Sequence, residues 1–378
     1  MNFSYWERET LVGNVDIVVV GSGLVGLFTA LFLKQKNPAI RVVVAERGPF
    51  PHGASSRNAG FACFGSVSEL LDDFRSRPRK EVLQLVERRY AGLQKLRATL
   101  GDAKIGFESC GGTELFEATE SDMKEACMEE LPQLNNDLQD MLGIRPFRED
   151  QAFAKFSGGR FTHAIHNNAE GAVHTGKMVR ALLDQCRDAG IELWNGIEIE
   201  AIEHLPNGAS LKTSMGNIQC QQVAVCTNGF ARSLLPHLNV TPARNQVIVT
   251  SSIPHMPLHG TYHVKEGYIY FRNVGDRLLL GGFRHLYRKE EETTDMGLLP
   301  EVQQTLEDYA RNQLLPGVPF EIDYRWAGIM GVGPTKSYIC EAVHSHVFCG
   351  VRMGGMGVAL SPIIAEELSE LMMQHRNS

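Results

Sequence analysis

The chain has no C-x-x-C pair, no block of basic residues, no internal repeat and no Gly/Ser/Pro-rich linker. Its eight cysteines (63, 110, 127, 186, 220, 226, 340 and 349) are scattered. A zinc site or a disulfide framework requires clustering, so we read them as buried, reduced thiols of a cytoplasmic protein. Lysine and arginine number 37 against 44 acids, a formal charge of −7, which argues against nucleic acid or an anionic membrane as the main partner. Apolar residues make up 43% of 378 positions, which excludes disorder and suggests two or three domains. One apolar, uncharged stretch, residues 17–33, approaches the length of a membrane span. It is broken by Gly21-Ser22-Gly23 and preceded by acids rather than a basic cluster. We therefore expect a strand, a glycine turn and a helix, with no signal peptide or membrane span.

Glycine is what the chain has in excess: 37 of 378, about a tenth against a usual ~7%. Residues 15–20 are rich in β-branched side chains and fit a buried parallel strand. Gly21-Ser22-Gly23-Leu24-Val25-Gly26 follows, then a helical pattern to about Lys36, then a second β-rich run ending at Glu46. In such a unit Gly21 makes the tight turn, Gly23 admits a pyrophosphate to the backbone, and Gly26 lets helix and strand pack closely. The helix N-terminus presents free N–H groups to the phosphates. Glu46 is placed to accept from a ribose diol, and its charge disfavours NADP. The fingerprint fits a dinucleotide and does not choose between FAD and NAD. A second glycine cluster, Gly354-Gly355-Met356-Gly357-Val358, follows a β run and leads into a helical pattern at about 362–374. Its oriented amides suit the pyrimidine edge of a flavin, where negative charge develops on reduction.

Further segments recur in order: Gly53-Ala54-Ser55-Ser56-Arg57-Asn58-Ala59-Gly60-Phe61-Ala62, Cys226-Thr227-Asn228-Gly229 after a β run, Leu234-Leu235-Pro236, Pro242-Ala243-Arg244-Asn245-Gln246, Tyr270-Phe271-Arg272, Leu278-Leu279-Leu280-Gly281-Gly282 and Arg325-Trp326-Ala327-Gly328. Their order and spacing over about residues 15–373 resemble the FAD-dependent oxidoreductases of the D-amino-acid oxidase family. The branch is the one with glycine oxidase, sarcosine oxidase and γ-glutamylputrescine oxidase. The resemblance implies an α/β plus α+β fold, with a Rossmann-like FAD-binding domain (1–78, 151–235 and 326–378) and a discontinuous antiparallel-sheet substrate domain (79–150 and 236–325). It implies that Ser55, Ser56, Arg57, Asn58, Ala59 and Gly60 wrap the diphosphate and the flavin edge. Cys226, Thr227, Asn228 and Gly229 join them, as do Arg47 and Ile199. Relatives with covalent flavin use a cysteine or a histidine; here Ile329, Met330 and Arg57 stand at those places, so FAD is expected to be non-covalent.

The activity implied is oxidation of a C–N bond of a small amine or amino acid to an imine, by hydride transfer to flavin N5. The electron acceptor is oxygen or an unidentified one. Many members pair the substrate carboxylate with an arginine where this chain has Met330, and a thioether cannot do that. Either Arg272 or Arg352 takes over, or the substrate lacks an α-carboxylate. Tyr268, Tyr270 and Trp326 are candidates to wall an amine site by cation–π contact. His163 and His166 lack the companions of a metal site, and His174 is a weaker candidate at a helix start. Two other readings remain: an oxidoreductase of a modified tRNA base, and a non-catalytic flavoprotein acting through a protein partner.

Overall fold

The computed structural model describes residues 3–151, 154, 156 and 160–376. Five of the six residues of Val15–Val20 are buried, and the strand sits between two parallel neighbours, Gly216–Val225 and Val42–Glu46. Parallel strands need covered faces, which explains the apolar run. Val347–Val351 and Glu192–Asn195 extend the parallel core, giving the order Ile339–His344, Val347–Val351, Gly216–Val225, Val15–Val20, Val42–Glu46, Glu192–Asn195. The hairpin of Ile199–Leu205 and Gly208–Thr213 attaches to Gly216–Val225.

Leu24–Lys36 is buried from Leu24 through Leu33. A helix apolar all round must be covered on every side, and its neighbours are the sheet, Thr175–Asp188 and Gly357–Arg376. Arg79–Leu100 packs on the last of these so closely that a Cβ on Gly92 would lie 1.9 Å from the carbonyl oxygen of Ala359. The C-terminal helix begins at Gly357, ahead of the start expected near Pro362, which lies inside it. Proline fits a first helical turn, which made it read as the start.

The second sheet has the order Ile322–Val332, Thr241–Thr250, Arg277–Gly282, Ile269–Val274, Thr261–Val264, Gly112–Glu117, Phe161–Asn167, Phe147–Asp150. It is antiparallel except where Thr261–Val264 runs parallel to Gly112–Glu117. Its outer face buries an apolar cluster against Pro300–Tyr309. Phe161–Asn167 and the stretch 326–332 pair within this sheet, whereas the division implied by the resemblance grouped both with the cofactor unit. Conversely, Arg79–Leu100 packs on the first sheet's helices. Among the described residues no helix is long and apolar enough to cross a membrane.

Candidate functional site

The turn after Val15–Val20 has Gly21 at φ +100, a conformation costly to any other residue. A Cβ on Gly26 would sit 2.0 Å from the Gly21 carbonyl oxygen and 3.2 Å from Val19 Cγ1. The first N–H groups of a helix have no intrahelical acceptor. One of them, Leu24 N, donates to Ser55 Oγ (2.9 Å), which leaves the Ser55 proton free to be donated onward. Glu46, at the end of the next strand, accepts from Ser22 N (3.1 Å), Ser22 Oγ (2.6 Å) and Gly48 N (2.9 Å). It thus ties the strand end to the glycine turn.

These groups border a cleft with about 840 Å³ of empty space. Of the residues expected from sequence it brings together Gly21, Gly23, Glu46, Arg47, Ser55, Ile199, Cys226, Thr227 and Asn228. Ile329, at a place where some relatives attach the flavin, also borders it, as do His52 and Phe230, which were not foreseen; Arg47 lies over the Phe230 ring at 4.2 Å. Burial and then the nearby Arg57 charge lower the His52 pKa. The Thr227 Oγ1 is buried without a partner. A buried hydroxyl left unpaired is costly, and here it borders the cleft. A glycine cradle, a free helix N-terminus, an acid and an orphan hydroxyl fit the nucleotide end of FAD.

The loop 53–60 contains the short helix Ala54–Arg57 and is built from its own polar side chains. Asn58 Nδ2 donates to the Ser55 carbonyl (2.8 Å), while its Oδ1 accepts from Gly60 N (2.9 Å) and Thr175 Oγ1 (3.0 Å). Ser56 Oγ donates to the Pro51 carbonyl (2.8 Å). Asn58 and Ser56 therefore brace the loop and do not stand open as donors. Arg57 Nη1 donates to the Ala327 carbonyl (2.9 Å), and the Arg57 carbonyl accepts from Trp326 Nε1 (2.9 Å). Trp326 thus fastens loop to sheet, its ring beside Ala59, Val247, Val249 and Leu279.

Neither arginine expected to meet a carboxylate is free. Arg272 is 5% exposed. It donates through Nη1 to the carbonyls of Gly60 (2.8 Å) and Val173 (3.0 Å), and through Nε to that of Asn273 (3.1 Å). Arg352 donates to the carbonyls of Ser337 (2.8 Å) and Asn239 (3.0 Å). Its backbone N–H and that of Met353 donate to Asn228 Oδ1 (3.0 and 3.2 Å), tying the Asn228-Gly229 turn to the C-terminal glycine loop. Within that loop a Cβ on Gly354 or Gly355 would meet nothing within 4 Å. Met356 Sδ lies 3.7 Å from Cys63 Sγ, and Val358 is buried in the first core. On the second sheet Tyr270 packs edge-on to Phe61, with centroids 5.7 Å apart. Its ring lies across Gly281, where a Cβ would fall 2.5 Å away. Met330, on the edge strand Ile322–Val332, pairs with Ala243, and its carbonyl oxygen would lie 2.5 Å from a Cβ on Gly229.

Behind the loop lies a cluster of buried acids that the sequence reading missed, because its members come from distant segments. Burial pushes Glu114 up to about 7 and Glu170 up to about 8. Burial opposes ionisation of Glu69 too, but Arg89 and Lys336 hold its carboxyl below the usual range. Glu170 Oε1 accepts from Phe64 N (2.8 Å) and Gly65 N (3.2 Å). Its raised pKa means stability that is present below about pH 4.5 and lost as pH rises through about 8. Glu170→Gln keeps the accepting oxygen and cannot ionise. We expect it to melt relatively higher than wild type as pH rises from 5 to 9, by roughly 3–5 kcal/mol in all. A constant difference in Tm across that range would show that Glu170 titrates normally.

A strand, glycine turn and helix with an acid ending the next strand, facing a second sheet across a braced loop, define a two-part dinucleotide-binding enzyme fold. The model of the FAD dependent oxidoreductase (DAO) family matches residues 16–371, and the chain belongs to that family. Gamma-glutamylputrescine oxidoreductase of Escherichia coli is 24% identical over 94% of this chain and 83% of its own. The bifunctional protein ThiO/ThiG of Synechocystis is 22% identical over 96% of this chain and 52% of its own, so this chain spans about half the length of that relative. Glycine oxidase from Geobacillus kaustophilus superimposes with a TM-score of 0.74 at 20% identity, covering 95% of this chain and 94% of its own.

Proposed function

We propose that the chain oxidises a C–N bond of a small amine or amino acid to an imine. When bound, non-covalent FAD supplies the hydride acceptor. The observation that carries this reading is the cleft where the Gly21–Gly26 fingerprint, Glu46, Ser55 and the unpartnered Thr227 hydroxyl converge. The backbone amide of Gly23 and the Ser55 hydroxyl, itself oriented by Leu24 N, would hold the diphosphate, and Glu46 the ribose. The amides of Gly355, Gly357 and Val358 would lie at the flavin's pyrimidine edge, those of Gly354 and Met356 already being engaged by the Gly331 and Met353 carbonyls. Tyr270 and Phe61 would wall the substrate side and keep water from the reacting carbon. Two domains, with Phe161–Asn167 and the stretch 326–332 in the second sheet and Arg79–Leu100 on the first, and oxygen or another electron acceptor, complete the proposal. All eight cysteines are free, which supports a reducing, cytoplasmic setting.

The test is an anaerobic titration of the purified holoprotein with amines, N-methyl amino acids, D-amino acids and γ-glutamylated polyamines, following the visible flavin band. Bleaching by one class is expected, and readmitting air then separates an oxidase from a dehydrogenase. Flavin that dithionite reduces but no member of the panel does would count against the reading. Release of FAD by acid precipitation checks that the attachment is non-covalent.

A further inference from the structure

Resting on that reading, the structure bears on what holds the substrate's other end. Arginine pairs a carboxylate bidentately, and most arginines of this chain already have partners. Arg57, Arg272 and Arg352 donate to backbone carbonyls, and Arg89 and Arg244 are buried in ion pairs with Glu69 and Glu291. Among the described residues the side chains of Arg75, Arg232 and Arg284 make no hydrogen bond, ion pair or ring contact. The first two are exposed, and Arg284 is half-buried. Burial lowers its pKa, with Tyr268, Arg288 and Glu291 as its charged or polar neighbours. A partly desolvated guanidinium without a partner is unfavourable in the free protein.

Its place in the fold is informative. The strand Arg277–Gly282 ends at Phe283, which takes the left-handed conformation (φ +63). That twist sends the Phe283 ring into the outer core, 5.2 Å from Tyr309. It interrupts the strand alternation, so Arg284 opens the short turn Arg284–Leu286 at the sheet's end. Phe283 N donates to the Tyr268 carbonyl (2.9 Å), two residues before Tyr270. On the other side Gln246 pairs with Gly282, which sets Asn245 beside the same strand end. Asn245 pairs with Gly328, and cross-strand partners share a face. A Cβ on Gly328 would meet Arg57 Cβ of the cofactor loop at 3.3 Å. The Asn245 Oδ1 is buried without a partner, as is Nδ1 of the neighbouring His285. At this end of the second sheet the backbone therefore sets Arg284 next to the strand position beside Asn245, whose unpaired Oδ1 shares a face with Gly328 and the cofactor loop.

We propose that Arg284 pairs the carboxylate of the substrate, with Asn245 Oδ1 accepting from its amine nitrogen. Specificity for an anionic substrate then comes from a turn at the sheet's end, and Met330 contributes only apolar contact.

The experiment uses the holoenzyme, Arg284→Met and Arg284→Lys. Benzoate, a carboxylate with no amine to oxidise, is the binding probe, read as a perturbation of the visible flavin band. Benzoate affinity is expected to fall about 100-fold in Arg284→Met and to recover in part in Arg284→Lys. Flavin content and Tm are expected to stay at wild-type values, because Arg284 has no partner in the protein to lose. In parallel, wild type should be reduced faster by N-methylglycine than by dimethylamine, and Arg284→Met should lose that preference. Benzoate binding that is absent in wild type, or unchanged in Arg284→Met, overturns the proposal. Equal reduction by both amines in wild type overturns it too and leaves the oxidoreductase reading standing. If benzoate binding depends on Arg284 while no amine reduces the flavin, the anion site stands and the oxidoreductase reading falls.

Discussion

Protein carrying Gly26→Ala is expected to purify without flavin and to melt well below wild type. The new Cβ would lie 2.0 Å from the carbonyl oxygen of Gly21 and 3.2 Å from Val19 Cγ1. The first of these is backbone, in a residue already at φ +100, and cannot move aside as a side-chain tip can. Relief requires the helix Leu24–Lys36 to lift from the strand or the turn to open, and either change spoils the amides that would face the diphosphate. Overpacking against a buried backbone costs about 3 kcal/mol or more. Gly176→Ala is the matched control: a Cβ there meets nothing closer than the His174 ring at 3.5 Å, in the first turn of helix Thr175–Asp188 and away from the cleft. Visible absorbance per mole of protein and Tm check both. Gly26→Ala protein with full flavin content would place the cofactor away from this turn.

That fingerprint was legible because each part of it is local: strand, turn, helix and acid lie between Val15 and Glu46, and each position demands a particular residue. The helix Arg79–Leu100 was legible for a similar reason, being flanked by Pro78 and Gly101. The second sheet was harder. Its one parallel pairing joins Thr261 to Gly112, and no local pattern reports which distant strands meet. Phe161–Asn167 shows the same limit, since a strand reads alike whichever sheet it enters. The site residues divide in the same way. Sequence marks Arg272, Arg352 and Trp326 as groups able to bind a ligand. Only the fold shows that carbonyls of Gly60, Ser337 and Arg57 already engage them. Arg284 was missed for the converse reason: what distinguishes it is the lack of a partner, which is a property of three-dimensional surroundings alone.

Arg272→Ala is the substitution that separates a brace from a substrate ligand, and it is expected to act as the loss of a brace. The guanidinium is 5% exposed, and burial lowers its pKa, so its charge is tolerated because three carbonyls surround it. Two of them, Gly60 and Val173, belong to the cofactor loop and to the segment before helix Thr175–Asp188; the arginine itself is on the second sheet. Hydrogen bonds from a charged donor contribute about 1.5–3 kcal/mol each, so truncation should cost about 3–5 kcal/mol once a small cavity is included. The loop would lose its anchor to the second sheet, and FAD affinity should fall with Tm. In Arg272→Ala protein saturated with FAD, benzoate should bind as it does to wild type. A carboxylate ligand would give the opposite pattern, with stability and FAD affinity kept and benzoate binding lost. Lysine cannot replace the arginine fully, because one ammonium on a shorter reach cannot serve the carbonyls that meet Nε and Nη1 separately. Arg272→Lys should therefore fall between wild type and Arg272→Ala in Tm and in FAD affinity together. That joint movement is the signature of a residue whose work is to hold the cofactor loop against the sheet that faces it.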